Sequence, residues 1–161
     1  TTTVLPNAQL HWGGHPSITP LIKAVAQDIG LLSTTHVHLY QSEYFRLVMP
    51  EENYAFEQIV LVPAGTTRES SLEEMRHIMM TSVDYDAAIF IGGMEGVEDE
   101  FRLFRSLHPH APVYPVASTG AAALALYERE RIELDLPIGL SDDYAYASMF
   151  RDLLAIPRGA M

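Results

Sequence analysis

The chain has 161 residues, 48% of them hydrophobic, with no cysteine and a formal charge of −11 from 10 Lys plus Arg against 21 Asp plus Glu. That size suits one compact domain, so a single domain over 1–161 is expected, with 1–7 and 156–161 as flexible ends. The charge leaves no basic face for nucleic acid, the absent thiols exclude disulfide frameworks, thiolate zinc sites and cysteine nucleophiles, and no apolar run approaches the roughly 20 residues that cross a bilayer.

The first ten residues, "TTTVLPNAQL", have neither the basic and apolar regions of a signal peptide nor an initiator Met. A cytosolic chain, processed or cut from something longer, is the expectation. "AQLHWGG" reads as a strand, followed by a helix in "SITPLIKAVAQDIG" with Thr19 as N-cap, Pro20 at the first helical position and Gly30 closing it. "HVHLYQS" is the second strand. After it, "EYFRLVMPEENYAFEQ" reads as a loop with one short helix, and "IVLVPA" as the third strand. "SSLEEMRHIMMTSV" opens on Ser71 with Glu74 three residues on, the spacing of a capping box. "AAIFIGG" and "VYPVAS" are strands four and five, each running into a helix, "GVEDEFRLFRSLHP" and "TGAAALALYERE". "DDYAYASMFRDLLA" closes the pattern with an aromatic, acidic helix. Strand and helix in alternation predict an α/β, Rossmann-like fold: a mainly parallel sheet of five or slightly more strands with helices on both faces.

In such sheets ligands bind where strands end and helices begin, because helix N-terminal N–H groups converge there with about half a positive charge. Three junctions have glycines or hydroxyls suited to close approach. The first holds Gly13, Gly14, His15, Ser17 and Thr19. The second is "GGMEGV": Gly92, Gly93, Met94, Glu95, Gly96 and Val97. The third holds Ser118, Thr119 and Gly120 before an alanine-rich helix. Together they suggest a phosphate or diphosphate cradle, although each glycine also serves a tight turn on its own. A P-loop needs Lys followed by Ser or Thr, and a dinucleotide fold needs GxGxxG after its first strand; "GGHPSI" and "GGMEGV" are neither.

"EMRHIMMTSVDYDAAIFIGGMEGVEDEF" resembles the lonely guy family, whose PGGxGTxxE loop follows an arginine in a Met-rich helix. Arg76 falls at the arginine, Gly92, Gly93 and Gly96 at the glycines and Glu100 at the glutamate, while Ile91 replaces the proline and one extra residue separates Gly93 from Gly96. The wider SLOG domain family is a better likeness. Its sensors attached to NAD-consuming effectors, as in Thoeris-type antiviral systems, carry an arginine followed by Met, a "GVxxEF" stretch and a "VVPV.ATG" turn, and the counterparts here are "MRHIMM", "GVEDEF" and "VYPVASTG". That resemblance runs from the first glycine pair to Gly120. It implies a sensor of ADP-ribose-type nucleotides, cyclic ones included, that signals to a fused or partner effector such as a TIR domain and works as a homo-oligomer. No cofactor and no metal are expected. Lonely guy chemistry implies instead a nucleotide N-glycoside hydrolase in which Arg76 stabilises the phosphate and Glu100 assists water attack. A third reading is an assembly module with a vestigial pocket.

A net charge of −11 does not forbid an anionic ligand, since bulk charge is screened beyond about 8 to 10 Å and local donors dominate. Arg76 suits forked diphosphate or carboxylate contact, or a structural ion pair with Glu73, Glu100 or another carboxylate. Glu95 and Glu100 suit ribose hydroxyls. They also sit, with Glu98 and Asp99, where a helix N-terminus favours acids, which suffices for the latter two. Gln41, Ser42 and Tyr44 follow the second strand and either read a purine or ribose or cover the sheet edge. His15 donates to a phosphate or fills its turn. His36 and His38 share a strand face without a third ligand nearby and read as packing, His108 and His110 as surface, and Met75, Met79 and Met80 as core.

Overall fold

The computed structural model describes residues 2–31 and 35–156; position 1 and positions 157–161, within the ends expected to be flexible, lie outside the described residues. All five expected strands form and pair in parallel, but as a sheet of three, order β1-β2-β3, and a sheet of two, β4-β5. The mixed α/β pattern with short parallel strands is as expected, while the described strands lie in two small sheets and not in one of five. Two compact units contain these sheets. One runs to Met79 and takes in Ala155 and Ile156, and the other is Met80–Leu154.

In the first unit, β1 (Leu10–Gly13) pairs with β2 (Val37–Ser42), which pairs with β3 (Gln58–Val62). Alternation sends Val37 and Leu39 to one face, where they join Leu5, Ile22, Ala26 and Phe56 in a core that also takes Leu10 and Trp12. Ile22 and Ala26 are one turn apart on α1 (Thr19–Asp28), so that helix covers this face. Leu5, in the stretch expected as a flexible end, is fully buried there. The opposite face carries His11, His38 and Tyr40. Met75 of α2 (Arg68–Thr81) lies against it, with its Cε 3.0 Å from where a Cβ on Gly13 would be.

Two helix starts differ from the sequence expectation. Ile18, not Thr19, holds the cap position of α1; its aliphatic side chain has nothing to bond with, and the His15 carbonyl accepts from the N–H groups of Ile18 and Thr19. α2 begins three residues before Ser71. Ser70 N–H donates to Thr67 Oγ1 (3.1 Å) and Thr67 N–H to Ser70 Oγ (3.0 Å), the reciprocal bonding of a capping box built on earlier hydroxyls. Ser71 instead donates to the Thr67 carbonyl (2.6 Å) and accepts from Gly65 N–H (3.0 Å). Between β2 and β3, the segment expected to carry one short helix forms two 3₁₀ turns, Glu43–Val48 and Glu51–Ala55.

In the second unit, β4 (Ala88–Ile91) pairs with β5 (Val113–Val116), with Phe90 opposite Pro115. A proline inside a strand removes a ladder donor, which β5 tolerates because β4 is its one ladder partner among the described residues. Phe101 of α3 (Glu95–Leu107) meets Phe90 edge-on at 5.4 Å, fixing that helix on one face. On the other side, Val116, Ala117, Tyr127 of α4 (Ala121–Glu130), Leu140 of α5 (Gly139–Asp142) and Met149 of α6 (Tyr146–Leu153) form the core. Tyr146 and Phe150 pack onto it, so the aromatic C-terminal helix is seated on its own unit. No helix among the described residues is long and apolar enough to cross a membrane.

Candidate functional site

Parallel strands end on the same edge, so each sheet has one edge where its strand-to-helix loops gather. On the first unit this edge holds Gly13, Gly14, His15, Ser17, Gln41 and Ser42. Few of the expected donors remain open. Gly14 N–H donates to the Tyr40 carbonyl (3.0 Å), Ser17 N–H to His15 Nδ1 (3.2 Å), and the first α1 donors to the His15 and Ile18 carbonyls. His15 therefore fills its own turn with one ring nitrogen. Ser42 is fully buried and its hydroxyl accepts from Tyr44 N–H (3.3 Å), starting the first 3₁₀ turn. Gln41 is also buried, and its Oε1 accepts from Asn53 Nδ2 at 3.2 Å. Arg76 lies mid-helix on α2, half-buried beside the core residue Met75.

The second unit brings the other two glycine loops together. Gly92 N–H donates to Thr119 Oγ1 (2.8 Å), which donates on to the Val116 carbonyl (2.6 Å), while the N–H groups of Ala123 and Ala122 reach the carbonyls of Gly92 (3.0 Å) and Gly93 (3.3 Å). The α4 N-terminus thus spends its donors on the neighbouring loop. That arrangement needs Gly120 at φ 73°, ψ −163°, a region essentially open to glycine alone. Ser118 is half-buried, its Oγ 3.2 Å from the Tyr146 hydroxyl on α6.

α3 is different. Val97 N–H closes on the Met94 carbonyl (2.9 Å), but the N–H groups of Gly93, Met94, Glu95 and Gly96 make no hydrogen bond among the described residues, and Met94 at the cap makes no side-chain bond. Four successive donors at the start of a 13-residue helix are therefore open, beside the exposed side chains of Met94 and Glu95. Glu98 is engaged elsewhere, with its Oε2 accepting from Arg102 (3.2 Å) and from Arg129 of α4 (3.3 Å). Asp99 pairs with Arg102 at 3.1 Å. Arg129 is held above its ordinary value first by its bond to Glu130. Glu100 is half-buried on α3, next to the core residue Phe101.

No group of three or more His, Asp or Glu side chains among the described residues is placed to hold an ion. His11 and His38 are opposite one another in the β1–β2 ladder and stack at 4.3 Å with rings 2° from parallel. His38 Nε2 donates to the Thr35 carbonyl (2.9 Å). Burial, and then the neighbouring His38, lower the His11 pKa from 6.5 to about 4. His108 Nε2 donates to the Met80 carbonyl (2.7 Å), a more structural role than the surface position expected. His108 and His110 line a shallow depression with Asp84, Tyr85 and Asp86, at the ends of β4 and β5 remote from the glycine loops.

Sequence reasoning passed over Asn53, Thr67 and, as a partner of the third loop, Tyr146. Thr67 was legible in "TTRESS", where it stands three residues before Ser70, the spacing of a capping box; Asn53 carried no signal, because its partner is 12 residues away.

A family model described as the SLOG cluster3 family matches residues 1–154. No curated protein and no solved structure matches the chain.

Proposed function

The chain belongs to the SLOG cluster3 family, and on that footing we propose that it is a nucleotide-sensing domain for an ADP-ribose-like ligand, cyclic forms included. Family membership points to a nucleotide-binding, Rossmann-like domain. The observation that carries the reading is the run of open N–H groups from Gly93 to Gly96 at the start of α3. Successive backbone donors at a helix N-terminus make an anion-binding concavity, and the helix adds partial positive charge where the overall charge is negative. A diphosphate fits that demand. Glu95 or Glu100 accepts from ribose hydroxyls of that ligand, and on the first unit Arg76 and Gln41 are the candidates for nucleotide contact.

The reading includes a Rossmann-like sheet. It also includes a cytoplasmic location, self-association, and an effector such as a TIR domain, fused or separate, as the recipient of the signal. Calorimetric titration with ADP-ribose, cyclic ADP-ribose, NAD and AMP tests it. Saturable heat with at least one of them is expected, and no heat and no thermal shift with any would overturn it. Release of adenine from AMP by wild type but not by Glu100→Gln would replace the sensor with a hydrolase.

A further inference from the structure

Asn53 sits in the second 3₁₀ turn with no exposed surface, yet only one end of its amide is used. Its Nδ2 donates to Gln41 Oε1 at 3.2 Å, while its Oδ1 is sealed from solvent and has no partner. A buried amide that is half satisfied contributes little to stability, and an apolar side chain there would avoid the desolvation cost. The bond it does make is with the last-but-one residue of β2, at the edge where strand-end ligands bind. Gly14, on the neighbouring loop, completes the seat. A Cβ there would collide with Gln41 Oε1 and come within 3.0 Å of Leu39 Cδ1, so the missing side chain leaves room for the Gln41 amide.

The consequence is a choice of hydrogen-bonding polarity. Asn53 occupies the acceptor end of Gln41, whereas Gln41 Nε2 makes no hydrogen bond among the described residues and is not among the sealed polar atoms. With the Oε1 end turned to Asn53, the end of Gln41 that is open is its N–H groups. Resting on the nucleotide reading above, we propose that Asn53 and Gly14 are positioning residues that fix the Gln41 carboxamide donor-outward, and that Gln41 selects a hydrogen-bond acceptor on the base or sugar of the nucleotide. A freely rotating glutamine would accept either a donor or an acceptor from the ligand. One pinned from behind rejects a ligand that presents a donor at that point, because two facing donors leave both unpaired.

The test is a double-mutant cycle in the full chain, read by calorimetry with ADP-ribose and AMP and by thermal melting. Gln41→Met keeps the length and loses the amide, and should bind roughly tenfold more weakly. Gln41→Glu keeps the shape, exchanges donor for acceptor, and should bind at least as poorly. Asn53→Ala should weaken binding severalfold in the wild-type background and not at all in the Gln41→Met background, since its effect passes through Gln41. Binding like wild type by Gln41→Met or Gln41→Glu would overturn the proposal, as would an equal Asn53→Ala loss in both backgrounds. If Asn53→Ala melts too low to titrate, the two Gln41 variants decide. A wild type that binds neither nucleotide removes the nucleotide reading and this inference with it, whereas a wild type that binds while the Gln41 variants match it removes the inference alone.

Discussion

The Val97 side chain fills the space into which any Cβ on Gly93 would project, and Gly93 itself holds a φ of 84°. Both facts make the glycine a structural requirement of the loop, independent of any ligand. Gly93→Ala is expected to cost at least about 1–3 kcal/mol from the backbone conformation alone, before the collision is counted. Chemical denaturation measures it; an unchanged midpoint would show that Val97 yields freely.

Gly92 is the better probe of ligand approach. Its φ is 54°, and the nearest atom to an added Cβ is the Thr119 carbonyl oxygen at 3.9 Å, so Gly92→Ala meets strain without collision. A stability loss of about 1–2 kcal/mol is expected. If the diphosphate passes over this loop, affinity for ADP-ribose drops in a protein that still folds, and calorimetry beside a melting curve separates the two effects.

Ser118 and Tyr146 tie the third loop to α6 across 3.2 Å. Tyr146→Phe keeps the ring in its cluster and removes one hydrogen bond, for an expected loss of about 0.5–1.5 kcal/mol. Because Ser118 adjoins Thr119, which bonds Gly92 N–H, ligand binding should also change hydrogen exchange along Tyr146–Leu153 in the wild type. Exchange there that ignores ligand would mean that α6 takes no part in signalling.

Glu98 bridges Arg102 and Arg129, but all three side chains are partly open to solvent. Exposed pairs of this kind contribute about 0–1 kcal/mol. Glu98→Gln should lower the melting point slightly, more at low salt than at high, and leave nucleotide affinity where it was. A large loss of affinity would move Glu98 from scaffold to site.

His11 predicts an acid-sensitive window. Burial, assisted by His38, holds its folded pKa near 4 against 6.5 for a free imidazole. Between those values the unfolded chain binds more protons than the folded one, so this contribution to stability is complete above pH 6.5 and is lost as pH falls towards 4. Melting temperature against pH should fall more steeply there for wild type than for His11→Phe, which keeps a ring against His38 and does not titrate. Parallel curves would refute the assignment.

The strands and most helices were legible because each follows its own periodicity: Val37 and Leu39 alternate into the core, and Phe101 and Phe104 recur at helical spacing. The division into sheets of three and two was not, because apolar alternation specifies which face a residue takes and not which strand it bonds to. The glycine loops were legible as loops, but their use was not. α1 and α4 spend their N-terminal donors locally on the carbonyls of His15, Ile18, Gly92, Gly93 and Gly120, whereas α3 leaves its own open, and glycine spacing does not distinguish these cases. The Asn53–Gln41 pair was invisible for a related reason: a bond between a strand end and a 3₁₀ turn has no period.

The open N–H groups of Gly93 to Gly96 are proposed to receive the ligand phosphates. An amide proton–nitrogen spectrum titrated with ADP-ribose reads those four groups directly. Saturable shifts largest at Gly93, Met94, Glu95 and Gly96 are expected, and an Arg76→Ala variant should bind roughly ten- to a hundredfold more weakly. Saturable binding that leaves those four amides unmoved, with the largest shifts elsewhere, would contradict it.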